Sequence, residues 1–140
     1  MKTLAQIMDE LKPILAETLA VEPGEVTPAA RIFEDLGAES IDALDLAFRC
    51  ERWFGVKIPL QQMAAPGDLA TDEAGRLTPE ALALFKQRFP FLDYSTFEAD
   101  PLRNRMTELL TVTALARLVA AALEEGESDE ASRSATTAIA

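Results

Sequence analysis

One serine, Ser40, stands where an apolar helical pattern begins, just after a loop that ends at Gly37. In the first turn of a helix a hydroxyl can satisfy free backbone N–H groups, and the positive end of the helix dipole favours an anion there. A phosphate ester on this hydroxyl would therefore be electrostatically favourable. The local pattern alone fits a structural cap and a covalent attachment site equally well.

Catalysis by this serine is not supported by the sequence. The chain contains no histidine, the commonest general base, and Ser40 does not lie in a nucleophile elbow of the Gly-x-Ser-x-Gly type. Glu39 and Asp42 flank it but specify no third ligand, so we predict no metal site. Cys50 falls in the middle of an apolar stripe, which is typical of a buried structural thiol. The residues therefore support neither serine hydrolysis nor a metal centre.

Composition excludes several other classes. The 140 residues are 49% hydrophobic, which is enough for one domain with a core. The net charge of −11 argues against a nucleic-acid partner and indicates either basic protein partners or simply solubility. The longest apolar run near the C-terminus, residues 118–123, is too short to span a bilayer. One cysteine and no signal-like segment lead us to expect a cytoplasmic protein. Nothing in the sequence specifies an oligomer, so we expect a monomer.

Helical periodicity recurs along most of the chain. It predicts helices at residues 3–20, 40–54 and 79–89, a short one at 104–110, and a last one from Thr111 that Gly126 ends. Residues 60–76 read as loop, and residues 126–140 read as a disordered tail. The segment 79–89 begins after a capping Thr78 and a first-turn Pro79. The predicted fold is therefore all-α, with one domain over residues 1–125.

The helix that starts at Ser40 carries two apolar stripes. One is predicted to face the core and comprises Ala43, Leu46, Ala47, Cys50 and Phe54. The other lies on nearly the opposite side and comprises Ile41, Leu44 and Phe48. A single core needs one stripe, so the second indicates a docking surface rimmed by charge. The alternative is that another helix covers it.

An ordered string of residues surrounds Ser40. It consists of Ile32-Phe33-Glu34-Asp35-Leu36-Gly37, then Glu39-Ser40-Ile41-Asp42, then Phe54-Gly55-Val56-Lys57-Ile58-Pro59. This string resembles the corresponding region of the acyl carrier proteins. The resemblance implies a four-helix bundle and a 4'-phosphopantetheine arm attached covalently to Ser40. Residues 60–100 would then be an inserted segment containing the extra helix. Glu39 and Ile41 depart from the family's usual Asp and Leu, which puts in doubt which transferase loads the arm.

The resemblance also implies a function, that of a carrier protein rather than an enzyme. The arm's thiol would hold acyl groups as thioesters and present them to acyl synthases and acyltransferases with basic docking patches, after loading by a phosphopantetheinyl transferase. The partner face would comprise Glu39, Ile41, Asp42, Leu44, Asp45, Phe48 and Arg52. The position of the insert after Pro59 is similar to that in specialised carriers for very-long-chain acyl groups in bacterial lipid synthesis. Fatty acid or lipid biosynthesis is thus the expected setting.

Two alternatives remain open at this point. A peptidyl or polyketide carrier would use the same serine and arm with a different cargo. A non-carrier helical adaptor could instead bind a partner through Ile41, Leu44 and Phe48.

Overall fold

The regular elements of the protein are helical throughout the part of the chain that the computed structural model describes, residues 2–58 and 69–139. Side-chain surroundings are described up to residue 125. The helices are α1 (Leu4–Leu19), α2 (Ser40–Phe54), α3 (Pro79–Arg88) and α4 (Val112–Ile139), with 3-10 turns at Pro23–Glu25, Phe97–Ala99 and Arg103–Leu109. The predicted all-α fold with an additional helix is confirmed. Of the loop predicted at 60–76, residues 60–68 lie outside the described part of the chain.

The core forms where α1 packs against both α2 and α4. One stripe of α1, comprising Ile7, Leu11 and Leu15, has no exposed surface. The predicted core stripe of α2 is buried, apart from Phe54, which is half-buried. The first two turns of α4 add Leu115, Ala116 and Val119, and these are also fully buried. Burial of these stripes orients α2, and hence the end that carries Ser40.

The segment between α2 and α4 packs into the same core. Its buried apolar residues are Leu69, Leu77, Ala81, Phe85, Phe89, Leu92, Tyr94 and Phe97, and they belong to one cluster with those of α1 and α4. The Tyr94 hydroxyl donates to the carbonyl oxygen of Phe89 at 2.7 Å, which satisfies the buried polar atom. Two backbone hydrogen bonds join the beginning of the described part of this segment to its end. Leu77 N donates to the Pro101 carbonyl oxygen at 2.8 Å, and Arg103 N donates to the Gly75 carbonyl oxygen at 3.0 Å.

Two details of the C-terminal half differ from the sequence prediction. The short helix lies at Arg103–Leu109 but has 3-10 geometry. The backbone of α4 continues as helix to Ile139 and does not end at Gly126, where the sequence predicted its end. A glycine inside a helix costs only about 1 kcal/mol relative to alanine, which good helix formers on both sides can offset. That residues 126–140 form a disordered tail stays a prediction.

Candidate functional site

Ser40 is the first residue of α2 and is exposed to solvent. It lies in the first turn and does not cap the helix itself, because the N-cap is Glu39, whose backbone is extended (φ −108°, ψ 173°). No described residue forms a hydrogen bond with the Ser40 hydroxyl. The hydroxyl is therefore accessible and has no structural task within the described part of the chain.

The start of α2 is stabilised by residues other than Ser40. The Asp42 carboxylate accepts a hydrogen bond from the Glu39 backbone N–H at 2.9 Å, and Ala43 N donates to the Glu39 carbonyl at 3.0 Å. An acid in the first turn also interacts favourably with the helix dipole. This division of roles leaves Ser40 free at the positive end of the helix.

The loop before Ser40 is fixed to the beginning of α4. Ile32 N donates to the Leu110 carbonyl at 2.9 Å, and Ala38 N donates back to the Ile32 carbonyl at 3.1 Å. Gly37 sits between them at φ +75°, a left-handed conformation that a side chain would disfavour. Ile32 and Leu36 are buried. The loop that leads into Ser40 and α2 is thus held in place by the bundle.

An ion-pair network holds the same loop. The Arg31 guanidinium contacts Asp35 at 3.2 Å and Glu108 at 3.0 Å, although Glu108 is 77 positions away in the chain. The hydrogen bonds from Arg31 lower the pKa of Asp35, and those from Arg105 above all lower the pKa of Glu108. Both carboxylates therefore stay ionised and bound to arginines at neutral pH.

The second apolar stripe of α2 is exposed. The exposed fractions are 72% for Ile41, 59% for Phe48 and 38% for Leu44, so no described helix covers the stripe. Glu39, Asp45 and Arg52 rim it and are exposed, and Asp42 is half-buried. The predicted partner residues thus share one accessible face, and their role in binding stays a prediction.

The charges on this face are partly neutralised from within the protein. Arg49 contacts Asp45 at 3.3 Å and Glu17 of α1 at 3.5 Å, and these acids raise its pKa. Arg52 forms no ion pair with any other described residue. The Arg52 guanidinium is therefore available to an outside partner, whereas that of Arg49 is already occupied.

Cys50 and the acids offer no additional chemistry. Cys50 has no exposed surface, and burial raises the pKa of its thiol to about 12, so the group stays protonated. No group of three metal-ligating side chains comes together within the described ranges. None of the described helices is long and apolar enough to cross a membrane.

Comparison with known proteins identifies the family. A family model described as the phosphopantetheine attachment site matches residues 9–70. The acyl carrier protein of Thermotoga maritima is 35% identical over 74 residues, which is 51% of this chain and 91% of the relative. The chain belongs to the acyl carrier protein family.

Two further relatives are both named acyl carrier protein AcpXL. The Rhizobium etli protein is 37% identical over 68 residues, 46% of this chain and 74% of the relative. The Brucella melitensis protein is 37% identical over 59 residues, and the match spans 63% of its length and 42% of this chain. The family model ends at residue 70, so the segment that contains α3 lies beyond it. That this segment is an insertion into the family fold stays a prediction.

The family description that matches residues 9–70 implies a covalently attached 4'-phosphopantetheine. The site fits such a group. The matched region contains an exposed serine whose hydroxyl is unbonded among the described residues, at a helix N-terminus that favours a phosphate. A cleft of about 510 Å³ lies between the loop before α2, the segment after α3 and the first turns of α4. Its walls come from distant segments of the chain, so no local sequence pattern marks its lining residues.

Proposed function

We propose that this protein carries acyl groups as thioesters on a 4'-phosphopantetheine arm attached to Ser40. The observation that carries the proposal is the free, exposed Ser40 hydroxyl at the first position of α2. The arm supplies the terminal thiol that bonds the acyl group. The protein itself supplies the attachment point, a fixed loop and a surface for its partners.

Loading requires one substitution at phosphorus. The Ser40 oxygen forms the ester bond to the phosphate of the phosphopantetheine, the pyrophosphate bond of coenzyme A breaks, and adenosine bisphosphate leaves. The hydroxyl proton passes to the phosphopantetheinyl transferase, because this chain has no histidine to accept it. The helix dipole then stabilises the negative phosphate ester. Glu39, longer than the family's usual aspartate, is the residue that a transferase would meet first.

Partner enzymes would bind the face of α2 beside Ser40. Ile41 and Phe48 provide apolar contact, while Glu39 and Asp42 attract basic patches and increase the rate of encounter. Arg52 adds a positive charge that an acidic group on a partner would match. We therefore propose acyl synthases and acyltransferases with mixed docking surfaces that are mainly basic.

The pathway proposed is a specialised branch of fatty acid or lipid biosynthesis that uses very long or unusual acyl chains. Two relatives named AcpXL and the additional packed segment around α3 support this setting. We also propose that the protein is a soluble monomer in the cytoplasm.

The decisive test is intact-protein mass before and after incubation with coenzyme A and a broad-specificity phosphopantetheinyl transferase. We expect the parent to gain one phosphopantetheine and Ser40→Ala to gain none. Ser95→Ala is the matched control, since Ser95 is also exposed but its hydroxyl is bonded to Asp93 at 2.7 Å. Loading of Ser40→Ala, or no loading of a folded parent, would contradict the proposal.

The exposed Ile41 and Phe48 also favour a second candidate, an adaptor that binds a partner helix without any arm. Ser40→Ala would then keep full function, and Phe48→Ala would lose it. A peptidyl or polyketide carrier would load like the parent, but protein isolated from its host would bear an amino acid or a polyketide extender on the arm.

A further inference from the structure

Arg31 holds the loop that leads into α2 with both its backbone and its side chain. Its N–H donates to the Asp35 carboxylate at 2.8 Å, and its carbonyl accepts from the backbone N–H groups of Asp35 (2.9 Å) and Leu36 (3.1 Å). Its guanidinium contacts both carboxylate oxygens of Asp35, Nε to Oδ2 at 3.2 Å and Nη2 to Oδ1 at 3.3 Å. This two-point contact fixes the orientation of the guanidinium as well as its position.

The same loop is linked by side chains to the 3-10 turn at Arg103–Leu109. Arg31 Nη1 donates to the Glu108 carboxylate at 3.0 Å, and the Thr107 hydroxyl donates to the Glu34 carboxylate at 2.6 Å. Because these two links join different positions of the loop to different positions of the turn, together they resist rotation of the loop about either contact.

Ser40 follows this loop almost directly. Ala38 is 8% exposed and its N–H donates to the Ile32 carbonyl at 3.1 Å, so only Glu39 separates a held residue from Ser40. The N–H groups in the first turn of a helix have no partners within the helix, which leaves that turn less constrained than the rest. The Ser40 hydroxyl has no hydrogen-bond partner among the described residues, so its position depends on the backbone that leads to it.

We propose that Arg31 and Glu34 are positioning residues for the loading of Ser40. Their links to Glu108 and Thr107 hold the first turn of α2 in the orientation in which a phosphopantetheinyl transferase meets the Ser40 hydroxyl. The transferase binds the exposed face of α2, whereas the links lie in the loop before it, so alignment and binding are separate contributions to the rate. The proposal rests on the carrier function proposed above and adds residues that determine how fast the arm is attached.

The test measures kcat and KM of a broad-specificity phosphopantetheinyl transferase, with each folded variant as substrate and coenzyme A in excess. Arg31→Gln removes the contacts with Asp35 and Glu108, and we expect kcat to fall roughly threefold to tenfold while KM changes by less than about twofold. The fall is partial because exposed ion pairs hold their partners weakly. Arg31→Lys keeps the charge but loses the two-point contact, so its kcat should lie between those of the parent and Arg31→Gln.

Matched variants separate position from charge. Arg31→Gln and Asp35→Asn change the net charge in opposite directions, so a purely electrostatic effect on encounter would move KM in opposite directions, whereas lost positioning lowers kcat in both. Thr107→Val breaks the link to Glu34 without changing any charge and should also lower kcat. Arg76→Gln is the control, because it breaks a similarly exposed ion pair outside the loop and should load as the parent does. Unchanged kcat in Arg31→Gln and Thr107→Val, or an equal fall in Arg76→Gln, would overturn the proposal.

A second measurement needs no loading and separates this inference from the carrier function. Amide hydrogen exchange of the unmodified protein reports local opening of the loop. In Arg31→Gln the amides of Leu36 and Ala38 should exchange faster than in the parent, whereas that of Val119 in the core should change far less. Unchanged exchange at Leu36 and Ala38, or equal acceleration at all three amides, would overturn the positioning role. A folded parent that does not load would refute only the carrier function.

Discussion

Phe85 provides the sharpest test of whether the segment around α3 is a cooperative part of the fold. Its side chain is 1% exposed and contacts the rings of Phe89 (centroids 5.0 Å apart, tilted) and Tyr94 (6.1 Å, edge to face). Phe85→Ala removes these contacts and leaves a cavity beneath α3. The same buried cluster contains Leu92 and Phe97.

The expected loss in the free energy of unfolding follows from these contacts. Truncating a buried phenylalanine to alanine typically costs about 3–5 kcal/mol, of which each aromatic pair accounts for roughly 0.5–1.5 kcal/mol. Because a domain of this size is stable by only about 5–15 kcal/mol, the change removes a large share of the total. The melting temperature should fall by roughly 10 °C.

Urea unfolding followed by far-ultraviolet circular dichroism and by Trp53 fluorescence measures this loss. Trp53 lies on α2, away from the mutated helix, so coincident transitions would show that α3 and the bundle unfold together. Leu84→Ala is the control, since Leu84 is on the same helix but 41% exposed, and it should change the free energy of unfolding by less than about 0.5 kcal/mol. A loss below about 1 kcal/mol for Phe85→Ala, or a separate early transition, would refute the reasoning.

Three further perturbations test the region around Ser40. Asp42→Ala removes the acceptor for the Glu39 N–H and should cost about 1 kcal/mol in urea unfolding, whereas Asp42→Asn, which keeps an acceptor oxygen, should cost less. Cys50 should resist iodoacetamide at a pH of about 8 in the native protein and react fully in denaturant. The reason is that the thiol is buried and its pKa is raised. Rapid labelling of the native protein would contradict this prediction. The hydrogen bonds from Arg31 lower the pKa of Asp35, so their stabilisation of the folded state is present at neutral pH and is lost as the pH falls below about 4. In thermal melts, the difference in melting temperature between the parent and Asp35→Asn should therefore shrink as the pH falls through this range. A constant difference would argue against the ion pair.

The start of α2 explains why Ser40 is available for chemistry although it lies in the first turn of a helix. A serine at a helix start is often a cap, and the sequence alone favoured neither role. In the structure Glu39 provides the cap position, and Asp42 satisfies its backbone N–H. Ser40 is thereby released from a structural role, which is what an attachment site needs.

The sequence by itself determined the features that depend on neighbouring residues. The helical spacing predicted α1, α2 and α3, and the ordered string of short segments around Ser40 indicated the family that the comparisons show. Both stripes of α2 followed from 3.6-residue periodicity, because the pattern of a helix surface is written along a short stretch of chain. Helix ends were less well determined: Gly126 is a common stop signal, yet α4 continues beyond it because one glycine costs little in a long helix.

Only the tertiary structure decided which distant groups meet. The pairing of Arg31 with Glu108 joins residues 77 positions apart, and the cleft combines the loop before α2 with Leu92, Phe97 and Arg117. No local spacing encodes such contacts, since they arise from how the amphipathic elements bury their apolar faces together. The packing of α1 and α4 also decides that Ile41 and Phe48 are exposed. From the sequence alone, a second apolar stripe on a helix can face either solvent or another helix.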